Sequence, residues 1–304
     1  MNVTYIALAG YVEVEKYKYV YFIIMFTSYI LILSSNAMVV CLVVIHKNLH
    51  EPMYIFISAL LINSMLFSTA VYPKLLIDFL SEKQIITYQM CLFQTYLFYS
   101  LSGSEFLLLA VMSYDRYVSI CKPLQYPTIM KKNTVSSFLV SAWIVPACHI
   151  SVAIILLAHL KLCSFTLKGM FCNNSINYLL CAASRELIVY CSVVLFNISL
   201  LPMLFILFSY TMILKVAYRS CGEVRKKAAQ TCLPHLMVLI NYSSLLTYDV
   251  IVVVLASDMS KILRFVMTMY VIMCSPLFNP IIYGFKMKEI YKHLMRLFYQ
   301  IKGK

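Results

Sequence analysis

The sequence predicts an all-α membrane protein, a seven-transmembrane helix bundle with a short amphipathic C-terminal helix. Of its 304 residues, 62% are hydrophobic and 12% are charged, whereas a soluble domain carries about 25% charged residues. Its mean hydropathy is +0.84. Seven stretches reach the ~18–20 apolar residues that cross a bilayer. They are residues 20–45, 53–73, 84–114, 133–160, 187–214, 228–257 and 265–285.

These seven stretches are predicted to be helices rather than membrane strands. A membrane strand needs only ~9–11 residues and alternates apolar with polar side chains, which none of the stretches does. Because lipid offers no hydrogen-bond partners, the backbone must satisfy its own polar groups within each segment, as a helix does. Five stretches carry no charged residue, and the other two carry one acid each, Glu105 and Asp249.

Lys and Arg residues predict the orientation. Seven spans place the two termini on opposite sides, and the side of the C-terminus carries 16 of the 25 Lys and Arg residues. Cytoplasmic loops carry such an excess. We therefore expect a multi-pass membrane protein with an extracellular N-terminus (1–19), a transmembrane domain (20–285) and a cytoplasmic amphipathic tail helix (286–304). Asn2 begins a glycosylation sequon on the outer side, and the basic excess indicates membrane lipid, not nucleic acid, as its partner.

Four of the 11 cysteines fall on the predicted outer side, namely Cys91, Cys163, Cys172 and Cys181. The exterior is oxidising and permits disulfides. Four cysteines allow three pairings, and spacing alone does not choose among them. No His or Cys pair has the spacing of metal ligands, and no nucleophile–base pair or phosphate loop indicates an enzyme.

Several polar side chains lie inside the apolar stretches, where lipid makes them costly, so each is a candidate functional residue. Asn36, Asn63 and Asn279 are also suited to interhelical hydrogen bonds, a purely structural role. Glu105 precedes Asp115 by ten residues, which puts it about 15 Å deeper along a helix. An unpaired carboxylate there would be protonated or bound to a cation.

Four motifs follow one another along the chain. The second span begins with LHEPMYIF, and the third ends with MSYDRYVSICKPLQYP. The sixth opens with KKAAQTCLPHL, and the seventh carries NPIIY. In this order they resemble the motifs of rhodopsin-like (class A) G-protein-coupled receptors and, within that class, of odorant receptors, most closely the fish-type ones. The family patterns are M-A-Y-D-R-Y-V-A-I-C-x-P-L-x-Y for the third span and K-A-x-x-T-C-x-x-H for the sixth.

The resemblance implies an activation switch on the cytoplasmic side. In the family, the aspartate before the arginine holds that arginine in a salt bridge, and activation releases it as the sixth helix moves outward to admit a G protein. The matching positions are Asp115, Arg116, Tyr117, Tyr210, His235, Asn279, Pro280 and Tyr283. The resemblance also pairs Cys91 with Cys172 and Cys163 with Cys181. An ion pair beside proline-bent helices can form the two-state element that a ligand biases.

The resemblance places the ligand pocket in the outer half of the bundle. Its lining would be mostly apolar with a few hydroxyls, as in small-molecule sites generally. The predicted positions are Phe98, Tyr99, Ser102, Gly103, Phe106, Val194, Ile198, Leu246, Thr247, Val250 and Met269. Phe98 stands where amine receptors carry an aspartate, which argues against a biogenic-amine ligand. Asp249 is either a ligand contact or a hydrated carboxylate that faces the loops.

One departure from the family concerns the second helix. The aspartate common in rhodopsin-like receptors is Asn63 here, and Glu105 supplies an acid across from it. A sodium ion held by Glu105, Asn63 and Asn279 is our hypothesis, and no other cofactor is expected.

The sequence thus predicts an odorant receptor that binds a small-molecule odorant and activates a heterotrimeric G protein of the olfactory stimulatory type. A trafficking chaperone is a further expected partner. The alternative within receptors is a non-olfactory rhodopsin-like receptor for a lipid or peptide. A transporter or channel predicts more intramembrane charge or glycine-rich unwound helices, and the chain has six glycines. A structural membrane protein would leave the Asp115–Arg116 pair and the NPIIY motif unexplained.

Overall fold

A computed structural model describes residues 4–182, 184–219, 222–255 and 260–302. Side chains are described over the same ranges except 222–231, 245, 251–255, 288 and 297–302. The helices are α1 (Val14–Ile45), α2 (Pro52–Leu80), α3 (Tyr88–Cys121), α4 (Tyr126–Ile129), α5 (Lys132–Ala158), α6 (Arg185–Leu195), α7 (Leu201–Arg219), α8 (Gly222–Leu255), α9 (Lys261–Lys286) and α10 (Lys288–Lys302).

The long helices correspond to the predicted spans. In the described part of the chain, six helices are long and apolar enough to cross a membrane: α1, α2, α3, α5, the continuous helix Arg185–Arg219 and α9. α8 falls on the remaining predicted span, 228–257, and is as long as α3, at 34 residues. α3 contacts α2, α5, α7 and α8 and is therefore the central helix of the bundle.

Helix starts follow from local chemistry. Thr87, Ser184 and Ser260 precede α3, α6 and α9, and each hydroxyl accepts a hydrogen bond from the backbone N–H three residues later. Such caps satisfy donors that the first turn leaves without partners. Pro52 opens α2, where its missing N–H removes no helical hydrogen bond. α1 begins at Val14, so this helix extends beyond the apolar stretch 20–45.

The N-terminal segment forms a strand, so the prediction of an all-α chain is wrong in this detail. β1 (Tyr5–Leu8) lies between β2 (Ile85–Thr87) and β3 (Thr166–Leu167) in one small sheet. It runs antiparallel to β2 and parallel to β3. These residues lie outside the helices, and strand pairing gives their backbone groups the partners that buried backbone requires.

The helix of the fifth span changes its winding at residues Phe196–Leu200, which form a π segment. Pro202 has no N–H to donate to the carbonyl of Ile198, so an ordinary helical bond is missing there. Gly103 of α3 packs against this segment. A Cβ at Gly103 would lie 2.6 Å from Ile198 Cγ2 and 2.9 Å from Pro146 Cβ, so only glycine allows this approach.

Buried apolar side chains form two clusters, one at each end of the bundle. We call the end that holds Cys91 and Cys172 the disulfide end, and the opposite end the Asp115 end. α10 lies at the Asp115 end and contacts α1 and α9. Its Ile290 and Leu294 are buried in the cluster there, so the apolar side of this helix packs, at these two residues, against protein.

Candidate functional site

The Asp115 end holds a buried ion pair. Arg116 Nε donates to Asp115 Oδ2 at 2.9 Å, and the Tyr126 hydroxyl donates to Asp115 Oδ1 at 2.8 Å. Asp115 is fully buried, whereas the Arg116 side chain is 12% exposed. Burial, followed by the Asp115 carboxylate, raises the pKa of Tyr126 well above its ordinary value. Asp115 is thus held by two partners, Arg116 and Tyr126.

The other predicted switch residues lie in separate contacts. His235 Nδ1 of α8 and the Tyr283 hydroxyl of α9 are 3.2 Å apart, and both side chains are buried. The buried Tyr210 hydroxyl finds no hydrogen-bond partner among the described residues. Tyr117 is half-buried, and the amine of Lys122 lies 6.0 Å from its ring centroid. His235 and Tyr283 thus join α8 to α9. Neither residue hydrogen-bonds to the Asp115–Arg116 pair in the contacts described above.

A polar cluster occupies the middle of the bundle. Asn279 Nδ2 donates to Glu105 Oε1 and to Ser64 Oγ, at 2.8 Å in each case. Asn63 Nδ2 lies 3.5 Å from Glu105 Oε2, and Asn63 Oδ1 accepts from Trp143 Nε1 at 3.2 Å. Glu105 therefore contacts both Asn63 and Asn279, in each case through the amide nitrogen. Pro280 is also buried, directly after Asn279.

Ser64 belongs to this cluster, although sequence reasoning missed it. The residue of α2 that Asn279 contacts is Ser64, while Asn63 also binds α5 through Trp143. A small hydroxyl inside an apolar stretch gives little signal, because it usually bonds to its own helix. Ser64 does this as well, since its Oγ donates to the carbonyl of Leu60 at 3.1 Å.

Toward the disulfide end, one acid gathers several polar groups. The Tyr99 hydroxyl donates to Asp249 Oδ2 at 2.8 Å. Asn173 Nδ2 donates to Asp249 Oδ1 at 3.1 Å, and Asn174 Nδ2 donates to Oδ2 at 3.0 Å. Both asparagines directly follow Cys172 in the loop between α5 and α6. Neither loop residue was predicted as a site residue, because nothing in the sequence places this loop against α8.

The remaining predicted pocket residues divide into two groups. Phe98, Val194 and Ile198 are buried, Phe106 packs edge-on against the Tyr242 ring at 5.1 Å, and Ser102 hydrogen-bonds to Tyr242. Leu246 and Met269 pack, half-buried, against the apolar clusters. Thr247 and Val250 are instead exposed, and the Thr247 hydroxyl donates to its own helix at Ser243. These last two do not join the others.

A cavity opens beside the Asp249 cluster. About 20 Å³ of it is wide enough for a water molecule. Three elements line the cavity: α8, α9 and the loop that joins α5 to α6. The lining residues are Lys168, Gly169, Met170, Phe171, Asn173, Ser175, Tyr178, Tyr248, Arg264 and Thr268. Asn173 both lines the cavity and bonds to Asp249. One side chain therefore stands between the cavity and the acid.

Two disulfides fix the loop that carries these asparagines. Cys91 is bonded to Cys172 and Cys163 to Cys181, the pairing that the resemblance implied. Asn2 lies outside the described residues. Among those that are described, no three His, Cys, Asp or Glu side chains form a group able to hold a metal ion.

Comparison with known proteins gives one consistent result. A family model described as olfactory receptor matches residues 24–301. Human olfactory receptor 11A1 is 31% identical over 299 residues, which cover 97% of this chain and 94% of that receptor. Human olfactory receptor 13C2 is 30% identical over 95% of this chain and 93% of that receptor. Human olfactory receptor 2AT4 is 32% identical over 93% of this chain and 88% of that receptor.

Proposed function

The chain belongs to the olfactory receptor family, and we propose that it binds its odorant at the disulfide end and activates a stimulatory G protein at the Asp115 end. Family membership makes it an odorant-binding G-protein-coupled receptor of the plasma membrane, and not an enzyme. The stimulatory type of G protein, the roles of the site residues and the orientation belong to the proposal.

The observation that carries the proposed mechanism is the buried Asp115–Arg116 pair. Asp115 holds the guanidinium and is itself held by Tyr126. An odorant that shifts α8 would open the Asp115 end and free Arg116 for the G protein, with Tyr210 and Tyr283 stabilising the open form. Such a shift needs a ligand that binds one of two states more tightly. Asp249 and His235 both lie on α8, so one helix connects the two ends.

The proposed function is tested by measuring cyclic AMP in cells that express the N-terminally tagged chain with an olfactory G protein, during a screen of small odorants. The tag is stained in parallel on unpermeabilised cells. A ligand-dependent rise supports the proposal. Silence across a broad panel, with good surface staining, contradicts it. Staining only after permeabilisation is the result expected if surface delivery needs the proposed trafficking chaperone.

We also propose a sodium ion at the central cluster, held by Glu105, Asn63 and Asn279. The Glu105 carboxylate is buried and bonded to neutral amides, and a buried charge is favoured by an opposite charge. The Glu105→Gln receptor should therefore show no difference in Tm between sodium chloride and choline chloride at equal ionic strength. The wild-type receptor should be more stable in sodium. A sodium effect that persists in Glu105→Gln would contradict the proposal.

The proposed orientation puts Asn2 on the extracellular side, together with the disulfide end. The second sequon there, Asn173-Asn174-Ser175, has its Asn173 amide nitrogen bonded to Asp249, so a glycan would displace that contact. We expect removal of N-glycans to shift the wild-type receptor on a gel, and Asn2→Gln to abolish that shift. Asn173→Gln should preserve it. A shift that survives in Asn2→Gln argues against this assignment.

Two finer expectations stay proposals. We propose that α10 lies on the inner leaflet as an interfacial helix, with Lys292 and Arg296 outward and Ile290 and Leu294 inward. The fish-type subtype rests on the motifs alone, since the relatives named above are human. A tree that includes fish and tetrapod receptors would test it.

A further inference from the structure

Asp249 is a buried acid whose known partners are all neutral. It is 9% exposed and accepts hydrogen bonds from one tyrosine hydroxyl and two asparagine amides. The salt bridges found between described residues are Lys74–Asp78 and Arg116–Asp115, so neither involves Asp249. Buried carboxylates usually have a cationic partner, because neutral donors compensate only part of the lost hydration.

The two asparagine amides reach the acid from the loop and not from the bundle. Their N–H groups lie 3.1 and 3.0 Å from the two carboxylate oxygens. An ammonium group has three N–H donors and could bond to both oxygens while adding the missing positive charge. Charge-assisted hydrogen bonds of this kind are roughly twice as strong as neutral ones. An ammonium that enters here would therefore compete well against the amides.

Aromatic rings pack against Tyr99, the tyrosine that donates to Asp249. The ring centroid of Phe98 lies 5.1 Å from that of Tyr99. It lies at the same distance from the ring centroids of Phe67 and Phe171. Aromatic faces attract both alkyl groups and cations. Asn173 also lines the cavity, which measures about 20 Å³, so a ligand that displaces this side chain would open the cavity to the carboxylate. Lys168 and Arg264 also line the cavity and would oppose a cation at its mouth.

We propose that Asp249 recognises the ammonium group of a small primary amine, and that Asn173 and Asn174 compete with the ligand for this carboxylate. An aliphatic amine resembles the Lys side chain, with a pKa of about 10.4, and is protonated at neutral pH. Amine receptors carry their ligand-binding aspartate on the third helix, at the position of Phe98. In this chain Asp249 of α8 would supply the acid instead. The inference rests on the proposed function, because it takes the disulfide end as the ligand-binding end.

The test compares hexylamine with 1-hexanol, which have the same alkyl chain. Hexylamine should raise the Tm of the purified full-length receptor in nanodiscs. Asp249→Asn should raise the hexylamine concentration that gives half of the maximal Tm increase about 100-fold. It should not change the Tm response to 1-hexanol. Asp78→Asn is the matched control, because Asp78 already has Lys74 as its cationic partner. It should leave the hexylamine concentration for half of the maximal Tm increase unchanged.

A second variant separates recognition from packing. If Asn173 competes with the ligand, Asn173→Ala should lower the half-maximal amine concentration about tenfold, the value of one hydrogen bond. A purely structural Asn173 would have the opposite effect. Hexylamine that stabilises wild type and Asp249→Asn equally, or not at all, overturns the inference. Stabilisation without cyclic AMP would support the inference and contradict the proposed signalling, while a response to neutral odorants alone would do the reverse.

Discussion

Replacing Arg116 with alanine is expected to abolish the odorant-dependent rise in cyclic AMP, measured per receptor at the cell surface. The guanidinium bonds to the adjacent residue, Asp115, so its loss removes no hydrogen bond between helices. Asp115 keeps its bond to Tyr126, which preserves the link to the following loop. What disappears is the cation that activation would release toward the G protein. Cyclic AMP and surface staining, measured in the same cells, give the signal per receptor.

Asp115→Asn is the matched control, because it should change the signal in the opposite direction. The amide can still accept from Tyr126, but it no longer attracts the guanidinium by charge. We therefore expect more cyclic AMP without odorant, since the state that confines Arg116 is destabilised. An Arg116→Ala receptor that still responds normally would contradict the role proposed for the pair.

Replacing Cys91 with serine is expected to remove most of the receptor from the cell surface. The Cys91–Cys172 bond closes a loop of 81 residues, and such a cross-link stabilises a fold by about 4.5 kcal/mol through the entropy of the unfolded chain. Typical domains are stable by only 5–15 kcal/mol. Both sulfurs are fully buried, so the variant also leaves a polar hydroxyl without solvent. Flow cytometry of the N-terminal tag on unpermeabilised cells measures the loss.

Substitutions at two other cysteines serve as comparisons for this prediction. Cys163→Ser opens a loop of only 18 residues, for which the same entropy argument gives about 3 kcal/mol, so more receptor should survive. Cys148 is an exposed free cysteine on α5, and Cys148→Ser should leave surface staining unchanged. Normal staining of the Cys91→Ser receptor would show that helix packing alone holds this end.

The apolar stretches predicted the long helices well, because lipid restricts the backbone to helices whatever the side chains do. The interior contacts were harder to predict. Asn279 and Glu105 were suspected because charge and amide groups are rare in such stretches, and they do bond to each other. Ser64 escaped notice because serine is unremarkable inside a helix.

Contacts made by the loops depend on pairings far apart in the sequence. No local pattern indicates that Asn173 reaches Asp249 or that Tyr126 reaches Asp115. Thr247 and Val250 were assigned to the pocket from motif alignment, yet the rotation of α8 leaves them exposed. Helical phase is set by packing against neighbours, which the alignment of a single motif does not determine.

The sheet around β1 also sets an order of events during synthesis. β1 is among the first segments to leave the ribosome, but its partners β2 and β3 begin at Ile85 and Thr166. At roughly 5–20 residues per second, the strand waits on the order of ten seconds for its last neighbour. During that wait the backbone groups of β1 lack their sheet partners, so the N-terminal segment of the nascent receptor is open to pairing with other chains.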